Sequence, residues 1–170
     1  MTQARSGDPL LGVLALGGAL VASSVLSAAF SPAPVLNPDT RRYYKRLAKP
    51  WFNPPDWAFG VWGPLWAMLS VAGWRLWRAQ PSRARTRALG HWFGAQALNV
   101  AWLWLGFGRR NRAAMAIEAA ATTANAVALV DAARRVDGPS SALSAPYLAW
   151  IAFAGLLSEE LWRLNRGRRI

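Results

Sequence analysis

The chain contains no cysteine and a single histidine, His91. Disulfides, thiolate nucleophiles and cysteine-held iron–sulfur clusters are therefore excluded, and one imidazole cannot build a zinc site by itself. Acidic residues are scarce as well. The eight aspartates and glutamates are scattered over 170 residues, with no paired-carboxylate or nucleophile–base constellation of the kind that acid–base or covalent catalysis needs. No recognisable enzyme motif is present, and nothing requires a cofactor. Charge is lopsided instead, because twenty lysines and arginines give a net charge of +12. Such a balance invites a nucleic-acid reading. The cations, however, stand at the ends of long apolar segments and are missing from most of their length. That placement suits anionic lipid headgroups and argues against nucleic acid.

Long uncharged runs are what the chain has in place of catalytic clusters. Leu10–Phe30 is 21 residues without a charge, enough to cross ~30 Å of hydrocarbon. The residues before it are too few and too mixed for the n-region of a signal peptide, and no clean cleavage context follows. The run is read as a retained span. Four further spans are predicted at about Trp57–Trp77, Ala88–Phe107, Ala113–Val130 and Leu143–Trp162. They are continuous in Ala, Leu and Trp and lack the alternation of ~10-residue membrane strands. The expectation is an all-α integral membrane protein, a bundle of five transmembrane helices forming one domain over residues 1–170.

Between the first two spans lies Ser31–Asp56, 26 residues with six prolines. A connection this long is usually functional or disordered. Its aromatics Tyr43, Tyr44, Trp51 and Phe52 predict that it packs as a lid over one mouth of the bundle; a solvated loop with interfacial aromatics is the alternative. Twelve of the twenty lysines and arginines fall on the side of this connection and the C-terminus, and eight on the other. That split favours a cytoplasmic C-terminus.

Eleven tryptophans are far above ordinary usage. Trp57, Trp74, Trp77 and Trp162 stand at span ends, where an interfacial aromatic belt accounts for them. Trp62, Trp66, Trp102 and Trp150 lie deeper. Trp62 and Trp66 share a helix face, as do Trp150, Ala154 and Leu157; Asn99 and Trp102 are three apart. Such indoles either pack a core or wall a flat ligand, and periodicity alone leaves both open. Glu118 falls inside the fourth span, where an acid is costly; it is a functional candidate or a partner for Arg112. Gly90 and Gly94 form a GxxxG pair in the third span, suited to helix contact between two copies or within one. His91, near a span end, is read as interfacial or hydrogen-bonded.

Several ordered motifs resemble the TspO/MBR family. Tyr43-Tyr44-x-x-Leu47-x-Lys49-Pro50-x-x-x-Pro54-Pro55-x-Trp57 is similar to the family's signature, followed by Val61-Trp62-x-x-Leu65-Trp66 with Trp66 in a usual Tyr place. Leu98-Asn99-x-x-Trp102, Pro146-Tyr147-Leu148-Ala149-Trp150 with Phe153-Ala154, and Leu161-Trp162-Arg163-Leu164-Asn165 continue the family's order to about residue 165. Departures are Phe52 for a Trp, Ser158 for an Asn, and Ala95 for a Gln. Gln96 follows one residue late, a step expected to turn it off the Asn99 face. Glu159 occupies the Tyr place of the animal members' cholesterol motif, so cholesterol is not implied.

The resemblance implies a bacterial-type, multi-pass protein of the cell membrane that binds porphyrin or haem-pathway tetrapyrroles for transport, sequestration or stress-linked regulation. The implied ligand residues are Tyr43, Tyr44, Trp51, Trp57, Trp62, Trp66, Asn99, Trp102, Pro146, Tyr147, Trp150, Ala154 and Leu157. Arg41, Arg42, Lys45, Arg46 and Lys49 in the lid are candidate partners for propionates, with headgroup contact as their other role. A homodimer through Gly90 and Gly94 is implied too. Two rival readings stay open: light-dependent porphyrin degradation with Trp62 and Trp150 as electron donors, and a regulatory membrane partner with no small ligand.

Overall fold

The computed structural model describes residues 7–33 and 36–168, and within them every regular element is helical. Helix α1 is Pro9–Phe30, α2 is Pro38–Arg46, α3 is Trp62–Arg78, α4 is Arg83–Leu103, α5 is Arg112–Arg134 and α6 is Gly138–Leu164. A π-helical stretch Val13–Gly17 interrupts α1, and another, Trp104–Gly108, continues α4 to its end. A 3₁₀ helix, Asp56–Val61, leads directly into α3. Three of these helices, Pro9–Phe30, Arg112–Arg134 and Gly138–Leu164, are long and apolar enough to cross a membrane. The other two long helices coincide with predicted spans but fall short by that measure. Helix α3 has only 17 residues, and α4 opens on Arg83, Arg85 and Arg87 and carries His91, Gln96 and Asn99 along its length.

Caps fix where the helices begin. Asp8, Asn37, Ser82, Asn111 and Asp137 each accept a backbone N–H in the first turn that follows, which satisfies donors a helix start otherwise leaves orphaned. Pro9 and Pro38 sit at first-turn positions, where a missing N–H costs nothing. Helix α3 ends on Arg85, whose guanidinium donates to the carbonyls of Leu76 at 3.1 Å and Trp77 at 2.6 Å.

One predicted loop is partly helix. Ser31–Asp56 contains α2, because Asn37 caps it, Pro38 starts it, and Thr40, Tyr43, Tyr44 and Leu47 recur at helical spacing as its buried face. Arg42, Lys45 and Arg46 occupy the solvent face.

The five long helices run alternately up and down. Around the bundle α1 neighbours α3 and α4, α4 neighbours α5, α5 neighbours α6, and α6 returns to α3. The connection packs on the end where α1, α4 and α6 finish. At the opposite end Trp77 Nε1 donates to the carbonyl of Asp8 at 2.8 Å, and Arg75 grips Asp137 at 2.8 and 2.9 Å. Burial is divided in two. Leu16, Leu69, Leu76, Trp92, Leu129, Tyr147 and Ile151 fill the half away from the connection. Trp92 is fully buried, its Nε1 donates to the carbonyl of Leu69 at 2.8 Å, and Gly73 lets it lie there: a Cβ on Gly73 would stand 2.7 Å from the indole. Beneath the connection, Tyr43, Tyr44, Leu47, Leu103, Phe107, Met115 and Leu161 form a second core.

Candidate functional site

A cavity of about 310 Å³ lies in the connection half of the bundle, within the ~300–1,000 Å³ range of small-molecule sites. Helix α3 contributes Trp62 and Trp66, α4 contributes Asn99, Trp102 and Leu103, and α6 contributes Trp150, Phe153, Ala154, Leu157 and Leu161. The far wall is the second half of α1, with Ser24, Ser27 and Ala28, and Ser31 just beyond its end; the roof comes from Tyr44, Pro54, Pro55, Ala58 and Phe59. Helix α5 supplies nothing to it. Among the described residues, none that lines the wall is charged, and Asn99 is the only amide side chain there.

The indoles are held in a mutually supporting set. Trp62 stacks on Trp66 at 5.7 Å between ring centroids and meets Trp150 edge-on at 6.3 Å. Trp150 leans on Phe153 at 5.6 Å, and Trp66 rests on Tyr147 at 6.3 Å. Trp102 Nε1 donates to Ser158 Oγ at 2.9 Å, which donates onward to the carbonyl of Ala154 at 2.7 Å. Asn99 Nδ2 donates to Ser27 Oγ at 3.1 Å and so joins α4 to α1. Aromatic faces fixed in this way are pre-organised for a flat apolar ligand.

Eight of the thirteen residues expected at a ligand site line this cavity: Tyr44, Trp62, Trp66, Asn99, Trp102, Trp150, Ala154 and Leu157. Five do not. Tyr43 is buried beside it, its hydroxyl accepting from Arg112 at 3.0 Å and its ring edge-on to Phe107. Tyr147 is buried one layer down, beneath Trp66. Pro146, one residue before Tyr147, faces outward and is exposed. Trp51 and Trp57 are 96% and 73% exposed: Trp51 stands in a turn, and Trp57 is on the outer side of the 3₁₀ helix Asp56–Val61, whose buried residue is Ala58. Sequence reasoning missed the α1 wall altogether. Its signal was present as Ser24, Ser27 and Ser31, small polar residues at helical spacing in an otherwise apolar span.

Other expectations resolve locally. Gln96 does not turn away from Asn99; three residues apart on α4 they share the face toward α1, where Gln96 Oε1 accepts from Ser23 Oγ at 2.9 Å. Glu118 accepts from Thr122 Oγ1 at 2.6 Å rather than pairing with Arg112, whose guanidinium is taken by Tyr43 and the carbonyls of Asn165 and Arg168. His91 Nδ1 lies 2.9 Å from Asn125 Oδ1. The glycine pair divides: a Cβ on Gly94 would stand 3.0 Å from Asn125 of α5, whereas Gly90 faces open space.

The connection is tied down from both sides. Tyr44 Oη donates to Asn53 Oδ1 at 2.9 Å, Arg41 pairs with Asp56, and Asn165 bonds both backbone groups of Ala48. Of the five candidate cations in the connection, Arg41 and Lys49 flank Tyr44, their charged groups 5.7 and 4.6 Å from its ring. Arg41 holds the Asp56 carboxyl below its ordinary range. Burial, with Arg41 nearby, lowers the Lys49 ammonium, and burial raises the Tyr44 phenol.

These helices, motifs and indoles coincide with a known family over most of the chain: the TspO/MBR family model matches residues 14–163. The chain belongs to the TspO/MBR family. A translocator protein of Ovis aries is 36% identical over 131 residues, 75% of this chain and 78% of that protein. A tryptophan-rich sensory protein of Cereibacter sphaeroides is 31% identical, over 79% of this chain and 82% of the relative. The tryptophan-rich protein TspO of Chlorobaculum tepidum is 30% identical, over 87% and 92%. With its three long apolar helices, this TspO/MBR member is an integral membrane protein, and its relatives support a sensory or transport role at the membrane.

Proposed function

We propose that this TspO/MBR protein spans a bacterial cell membrane five times, with its C-terminus in the cytoplasm, and binds a tetrapyrrole such as protoporphyrin in the cavity beneath the α1–α2 connection. The observation that carries this reading is the wall of Trp62, Trp66, Trp102 and Trp150 around a space with no charged lining residue among those described. A porphyrin macrocycle has two broad π faces and needs apolar, aromatic walls; its propionates need cations nearby. Arg41 and Lys49, beside Tyr44 in the roof, supply them. The connection acts as the lid, and binding serves carriage, sequestration or sensing. A second copy docks through the open Gly90 face of α4.

Tryptophan fluorescence titrated with protoporphyrin tests the reading. Saturable quenching at micromolar ligand, weakened in Trp62→Ala and Trp150→Ala, is expected; no saturable quenching with helicity intact overturns it. The edge-on pair of Trp62 and Trp150 at 6.3 Å also supports a second reading, in which bound porphyrin is degraded in light with these indoles as electron donors. Spectral conversion in light but not in darkness, abolished by Trp62→Phe or Trp150→Phe, would favour that chemistry over carriage.

A further inference from the structure

A second concavity, of about 720 Å³, lies at the end of the bundle opposite the connection. The α3–α4 turn and the α5–α6 turn build it, with Trp74, Arg75, Arg78, Gln80, Ser82, Arg135 and Asp137 on its surface. Two of the three membrane-length helices, Arg112–Arg134 and Gly138–Leu164, meet here, so the groove stands at the membrane surface whichever other helices cross.

Its electrostatics are one-sided. Among the described residues Asp137 is the single carboxylate on its surface, and Nε and Nη2 of Arg75 hold it at 2.8 and 2.9 Å. Arg78 gives one guanidinium N–H to the carbonyl of Gly7 at 2.9 Å, and Arg135 gives one to Asp131 at 2.7 Å. Each retains further N–H groups in the forked arrangement that matches a phosphate. Directly below Arg78 on the same helix face run Trp74 and Val71, 37% and 50% exposed; spacings of four and three residues align them into one apolar stripe ending at the guanidinium.

We propose that this groove binds the phosphate headgroup of an anionic phospholipid, with its acyl chains along Val71 and Trp74. A free phosphate would use the arginines and have no use for the stripe, whereas a lipid needs both at this spacing.

Native mass spectrometry of the full chain, released from bilayers of equal phosphatidylglycerol and phosphatidylcholine, tests this. Phosphatidylglycerol should be retained preferentially, and the R78Q/R135Q double variant should lose about thirtyfold of that preference, roughly fivefold for each arginine. Arg87→Gln, which removes an equal charge from the exposed first turns of α4 outside the groove, should leave it unchanged. Because Arg78 also holds Gly7, R135Q alone, with helicity checked by circular dichroism, provides the arm that cannot fail through that contact. Equal retention of the two lipids, or an equal loss in R87Q, overturns the proposal. Displacement of the lipid by millimolar inorganic phosphate would overturn the lipid assignment in favour of a phosphate site. None of these readouts depends on porphyrin binding at the other end.

Discussion

Asn165, at the C-terminal end of α6, holds Ala48 in the connection by both of its backbone groups. Its Oδ1 accepts from the Ala48 N–H at 2.9 Å, and its Nδ2 donates to the Ala48 carbonyl at 2.8 Å and to the Leu161 carbonyl at 2.9 Å. The amide spans 117 positions of sequence and is fully buried. Together with the Arg112–Tyr43 bond, it makes the roof of the cavity part of the bundle.

Replacing Asn165 by alanine should therefore release the connection. The substitution leaves the part-buried N–H and carbonyl of Ala48 without their partner, at up to about 1–3 kcal/mol for each group that water does not reach. Trypsin should cut faster after the exposed Lys45 and Arg46 than in the unaltered protein, and melting in detergent should fall. Unchanged cleavage at those two sites would show that the roof is held by other contacts.

Gly73→Ala should destabilise the opposite half. The added methyl would meet the Trp92 indole at 2.7 Å, and that ring is fixed by its bond to the Leu69 carbonyl. Overpacking of this kind costs about 1–3 kcal/mol. A shortened G73A/W92L pair makes room for the methyl and should recover part of the loss, read as the detergent melting temperature of both variants.

Loss of a cavity indole should weaken ligand binding without unfolding the protein. Trp150→Ala removes the ring that meets Trp62 and Phe153, and a drop of roughly tenfold or more in protoporphyrin affinity is expected for an aromatic anchor. Trp51→Ala, which alters a 96% exposed side chain off the cavity wall, should change affinity far less. The comparison separates a walled site from quenching by any exposed indole.

Acid should loosen the far end of the bundle. Arg75 holds the Asp137 carboxyl at about 2, below its ordinary 3.8. A carboxyl lowered in the folded state contributes stability that is complete above the ordinary value and is lost as pH falls toward the folded one. Stability should therefore decline between about pH 4 and pH 2. The pair is near the surface, so its share is about 1 kcal/mol at most. Asp137→Asn keeps the helix cap and removes the charge; its melting temperature should be lower at neutral pH and less sensitive over that acid range.

Helix faces were the legible part of the site. Trp62 with Trp66, and Trp150 with Ala154 and Leu157, recur at intervals that leave one choice of direction, and each lines the cavity. Trp51 and Trp57 belong to the same motif yet are exposed, because a turn at Trp51 and a 3₁₀ helix of six residues at Trp57 are too short to show a period from which to read a direction. Ser24 and Ser27 went unnoticed since serine in an apolar span reads as neutral filler until the neighbouring helix is known. Helix α2 was hidden by the prolines around it, although Asn37-Pro38 marks a helix start and Tyr43, Tyr44 and Leu47 form its inner face. Tyr147 followed the family motif correctly in sequence but lies a layer too deep. The groove around Arg78 and Arg135 joins two turns more than fifty residues apart, and no local pattern announces that meeting.

The fully buried Trp92, wedged against Gly73 and backed by Leu69, Leu76 and Tyr147, gives the molecule a direction. In this conformation the half around Trp92 is filled by side chains, so a ligand held at the indole walls, as proposed, would rest on Tyr147 and the packed layer beneath Trp66. Holding or reporting such a ligand would leave this packing undisturbed, whereas passage along the bundle axis would require the side chains around Trp92 to rearrange.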